Sequence, residues 1–166
     1  MRVKVLWMCI ALAACATVGG ALPSPRYADA ASRGALASFL AGRPSAGQVE
    51  QTTQNWSHAL GDSFACGVSV RHVIDAGLVG ALEIGAMNAA MSQGGEREVR
   101  EGVRSYVGEL ARLLTDRRPR PSAQRCEALE GWAPRTADAG REAVERARRN
   151  GLMDSEYGIL LDLLSR

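Results

Sequence analysis

Catalytic machinery is what this sequence has least of. It holds two histidines, His58 and His72, too few for most zinc sites and at a spacing that matches no metal motif. Gly77, Gly80 and Gly85 are not followed by Gly-Lys-Ser/Thr, which excludes a phosphate loop, and no serine sits in a Gly-x-Ser-x-Gly elbow. Lysine is nearly absent: Lys4 is the only one, and arginine supplies every other basic group. Period-two alternation never lasts more than a few residues, so residues 66–73, where Val68, Val70 and Val73 cluster, are the only strand candidate. There is no internal repeat. These absences leave an all-α chain with no expected cofactor, no metal site and no catalytic residue.

The first 30 residues carry a different kind of information. A basic start, Arg2 and Lys4, precedes an uncharged run over residues 5–25, and Ala28-Asp29-Ala30 follows. This is the layout of an export signal. Two cleavage positions compete. Leu12-Ala13-Ala14-Cys15 resembles a lipobox, with cleavage before Cys15 and lipidation of its thiol; Ala28-Asp29-Ala30 is an ordinary signal-peptidase site, placed after the helix-breaking Pro23 and Pro25. A third reading keeps residues 5–22 as a membrane anchor, at the short end for a span. All three place the globular part outside the cytoplasm. The later apolar stretch over residues 74–91 contains Asp75, Glu83 and Asn88 and reads as a core helix.

Residues 1–30 also account for the net charge of +2. Setting aside Arg2, Lys4, Arg26 and Asp29 leaves 17 basic and 17 acidic groups over residues 31–166. A neutral body lacks the basic face that phosphate backbones require, which argues against a nucleic-acid partner. Arg117-Arg118-Pro119-Arg120 and residues 146–149 are local basic clusters, read as a solvated loop and a helix end, with contact to an anionic surface as the alternative.

Of the four cysteines, Cys9 lies inside the signal and Cys15 is either removed with it or lipidated. Cys66 and Cys126 remain, an even number in an oxidising compartment, and are expected to form a disulfide. The competing reading makes Cys66 a thiol nucleophile with His72 as its base, without an evident third residue to orient the pair.

Residues 31–166 are expected to form a single helical domain of about 135 residues, long enough for one core. Residues 32–40 and 48–60 read as helices, with Gly61 permitting a break or kink before residues 63–72. Asp75 is a candidate cap for a helix running to about Gln93 and ended by Gly94-Gly95; Gly77, Ala81, Gly85 and Ala89 fall four apart along it and invite close approach by another helix. Glu96–Thr115 has the clearest apolar stripe, through Val99, Val103, Tyr106, Leu110 and Leu114, with Glu96 and Arg100 spaced as an ion pair. Ser122 can cap a short helix carrying Cys126, and Pro134 marks a boundary. Residues 135–166 then read as a helical extension, a charged helix to Asn150 and a last one over 155–165, packed on the body or free to grip a partner. Glu83, alone in an apolar helix, is either a carboxylate of raised pKa, at the rim, or paired with arginine.

One resemblance covers about residues 55–131. Asn55-Trp56 precedes Phe64-Ala65-Cys66; Asp75-Ala76-Gly77 and Gly80-Ala81-Leu82-Glu83 follow, then the amphipathic helix through Tyr106 and Leu114, then Arg125-Cys126-Glu127. This order resembles the type VI secretion amidase immunity proteins, small helical proteins of the periplasm. The chain departs from them in having no Trp after Glu83, no Lys before Cys126 and a tail beyond Pro134. The resemblance implies a binding protein rather than an enzyme, an immunity or inhibitor protein whose partner is a cell-wall amidase or related hydrolase. The alternative is a structural or assembly lipoprotein of an envelope complex, tethered to the outer membrane through Cys15.

Overall fold

The computed structural model describes residues 22–24 and 44–153. Among them are four helices and no strand: α1 Ala46–Ala65, α2 Val70–Met91, α3 Glu96–Thr115 and α4 Ala123–Arg149. The expected helix at 32–40, the last helix at 155–165, Cys15 and both cleavage positions lie outside the described residues.

Local chemistry sets the ends of these helices. Ser45 caps α1 in a capping box with Gln48, each side chain binding the other's backbone N–H. Ser122 accepts from the Arg125 N–H to start α4. At Gly95 the carboxylate of Glu98 accepts the free N–H at 2.7 Å, and that bond, more than the Arg97 guanidinium beside it, holds the Glu98 carboxyl below its ordinary range. Three helices end alike. Gly67, Gln93 and Gly151 take positive φ, and the next residue's N–H returns to the carbonyl five residues back: Val68 to Ser63, Gly94 to Ala89, Leu152 to Ala147.

Several expectations change here. Gly61 does not break α1, which continues to Ala65; the missing side chain instead makes room for the Arg118 guanidinium. Of the strand candidate at residues 66–73, residues 66–69 turn the chain and residues 70–73 open α2, with Ser69, not Asp75, at its N-cap. Pro134 lies inside α4 rather than at a boundary. Buried Trp132 and Ala133 before it, and Thr136 and Ala137 after it, hold both sides of that helix against the bundle. Residues 135–149 therefore pack on the body. Arg100 does not pair with Glu96; its Nε donates to the Gly151 carbonyl at 2.7 Å and ties α3 to the end of α4.

Helix α2 is the centre. It packs on α1, α3 and α4, and by length and composition it could cross a membrane, yet 89% of its most apolar window is buried in the bundle. Small residues set its approach to α3. A β-carbon at Gly77 would meet Leu110, and one at Gly85 would lie 2.8 Å from the Val99 carbonyl oxygen. Gly102 of α3 faces Gly85 in turn. The expected small-residue line is thus the α2–α3 seam. On another side Gly140 brings α4 onto Val79, and Gly80 seats the indole of Trp56 from α1.

Candidate functional site

Glu83 projects from the middle of α2 into the core and is 3% exposed. It reaches no rim. One carboxylate oxygen accepts the indole N–H of Trp56 at 3.2 Å, which satisfies a donor that Trp56, fully enclosed, could not offer to water. Tyr106 of α3 completes this polar centre. Its hydroxyl is buried beside Ser57 at a geometry short of a good hydrogen bond. Burial pushes the phenol well above its ordinary range; Ser57 opposes the shift, and the charges of Glu109 and Glu83 add to it.

The other candidate groups lie elsewhere. His58 and His72 are exposed on α1 and on the first turn of α2, away from the enclosed Glu83. Cys66 and Cys126 form a disulfide, with Cα atoms 5.4 Å apart. A cystine sulfur offers no thiolate, so the Cys66–His72 nucleophile is excluded. Among the described residues, no three His, Cys, Asp or Glu side chains gather as a metal site.

The disulfide has a salt bridge beside it. Arg125 and Asp62 meet at 3.2 Å, both largely shielded, and join the same two helices, α1 and α4. Close to this staple the surface carries a depression of about 340 Å³ between the end of α1 and the turn after α3, lined by Gly61, Phe64, Leu114, Asp116, Arg117 and Arg118. Phe64 is 36% exposed, one of few large apolar side chains so placed among the described residues. Arg118 lies over Gly61, Arg117 is exposed, and Asp116 is paired with Arg112 at 3.3 Å. The depression therefore offers an aromatic face and two guanidinium groups, of which Arg118 also acts on the Glu109 carboxylate, on a covalently braced frame. The basic cluster at residues 117–120 was legible in the sequence; its meeting with Phe64, about fifty residues away, was not.

A third feature was not visible in the sequence. Trp132 of α4 packs its ring against Trp56, centroids 5.8 Å apart, and donates its indole N–H to the Pro23 carbonyl at 2.7 Å.

No family model, curated protein or solved structure matches this chain.

Proposed function

We propose that this is an exported binding protein of the periplasm, an immunity or inhibitor protein that occludes a cell-wall amidase or related hydrolase. The observation that carries the reading is the Cys66–Cys126 staple set beside the Phe64–Arg117–Arg118 surface. Disulfides persist in oxidising compartments, which agrees with the export signal. A rigid frame loses little conformational entropy on binding, and aromatic and arginine side chains are the groups that most often anchor protein interfaces. The choice of an amidase as partner rests on the resemblance over residues 55–131. The lipobox reading adds an outer-membrane tether through Cys15.

The test is capture. A C-terminally tagged chain crosslinked in the envelope of its native host should bring down a stoichiometric hydrolase whose activity falls on binding. Replacing Phe64→Asp together with Arg117→Glu should weaken that complex by roughly 30-fold or more, the effect of losing a hot spot. Recovery of envelope-complex subunits without a hydrolase would favour the assembly lipoprotein. A hydrolase bound equally well by the double variant would refute the surface.

A further inference from the structure

We infer that residues 22–24 belong to the folded body of the mature protein, so that the export signal is cut before Leu22 and not after Ala30. This rests on the export reading proposed above and chooses between its two cleavage positions.

The inference begins at Trp132. Its side chain is enclosed against the core, and an indole N–H in that position needs an acceptor. The acceptor is the Pro23 carbonyl, 109 residues away in sequence. Leu22, the preceding residue, is partly buried and packs against the main core cluster. Apolar packing and a satisfied buried donor thus hold one short strap in place. The local sequence suits the task. Pro23 and Pro25 lack N–H groups and disfavour a helix here, and a proline at position 25 biases Ser24 to extended backbone. The Pro23 carbonyl is thereby left for a tertiary partner. From it the contacts run inward, Pro23 to Trp132, Trp132 to Trp56 and Trp56 to Glu83 on α2. The strap sits at the outer end of a chain of contacts that reaches the centre of the bundle.

Either cut adds water across one peptide bond, releasing a carboxylate on the signal and an amine on the mature chain. Only the position differs. Hydrolysis between Ala30 and Ala31 discards the strap, strips Trp132 of its acceptor and uncovers the apolar surface under Leu22. Hydrolysis between Ala14 and Cys15 keeps both. It also leaves seven residues ahead of Leu22, a reach of at most about 25 Å. A chain anchored through Cys15 would therefore hold the Trp132 face toward the membrane.

Two measurements test this on the full chain carrying its own signal. Intact mass and N-terminal sequencing of the exported protein should show a start ahead of Leu22, at Cys15 with or without added acyl mass; a start at Ala31 overturns the inference. Independently, Leu22→Asp in the purified oxidised full-length chain should lower Tm by at least about 3 °C, and Trp132→Phe should reduce that loss by releasing the strap beforehand. An unchanged Tm in Leu22→Asp overturns the inference. An uncut chain that is destabilised by Leu22→Asp upholds the strap while refuting export.

Discussion

Gly85→Ala and Gly108→Ala are the same chemical change in two helices of the same bundle, and the structure gives them opposite signs. Both positions gain helix propensity, about 1 kcal/mol when glycine becomes alanine in a helix interior. At Gly108, exposed on α3, the new methyl meets nothing within 4 Å, so the whole gain is realised. At Gly85 the methyl would lie 2.8 Å from the Val99 carbonyl oxygen, 2.8 Å from a Val103 methyl and 3.0 Å from the Val103 nitrogen, where ordinary contact begins at 3.4 Å. Two of these are backbone atoms of α3, which no rotamer change can move aside. The α2–α3 seam must open by about half an ångström, and overpacking of this kind costs about 1–3 kcal/mol before the propensity gain is subtracted. We expect Gly108→Ala to be more stable than wild type by about 0.5–1 kcal/mol, and Gly85→Ala to lose that gain and be less stable than wild type by up to about 2 kcal/mol. Urea unfolding followed by far-ultraviolet circular dichroism, with equal m-values, measures both. Equal stabilisation by the two substitutions would refute the close approach of α2 and α3.

Two further outcomes follow from other parts of the bundle. Reducing the disulfide, or replacing both Cys66 and Cys126 by serine, frees a loop of 60 residues and should lower stability by about 4 kcal/mol on the chain-entropy estimate; coincident urea midpoints with and without reductant would contradict it. Tyr106 keeps its proton in the folded state at pH values where the unfolded chain releases it. That contribution is complete below the ordinary tyrosine pKa of about 10 and is lost as pH rises above it, by up to about 1.4 kcal/mol per unit for one proton. Tyr106→Phe should therefore flatten the decline in stability between about pH 10 and 11.5 relative to wild type while changing stability little at pH 7; equal slopes for the two proteins would refute the assignment.

How legible the molecule was depended on the range of the interactions involved. The α3 stripe is a local pattern, and its helix has the expected bounds, Glu96–Thr115. The Ser122 cap and the small-residue line along α2 are equally local. Cysteine parity was enough for the staple. The failures lie where tertiary contacts override a local signal. Gly61 reads as a break until the Arg118 side chain occupies the space beside it. Pro134 reads as a boundary until buried neighbours on both sides are seen to hold the helix together. Gly94-Gly95 marked the end of α2 to within a few residues, since the helix stops at Met91, with the left-handed position on Gln93 just ahead of the pair. Glu83 was conspicuous in the sequence, but its partner Trp56 lies 27 residues away on another helix and no spacing rule connects them. The depression beside the staple was hidden for the same reason, since Phe64 and Arg118 are brought together only by the packing of α1 against the end of α3.

Proline at position 134 has a consequence for how α4 opens. Without an N–H it cannot bind the carbonyl of Glu130, so the hydrogen-bond ladder is interrupted near the middle of a 27-residue helix. The first half is fastened by the disulfide and by Trp132; the second buries mainly small side chains, Ala137, Gly140, Ala143 and Ala147. These halves are natural units of sub-global unfolding. In native-state hydrogen exchange the amides after Pro134 should form a separate, less protected group, able to detach and reclose while α1, α2, α3 and the stapled start of α4 stay folded.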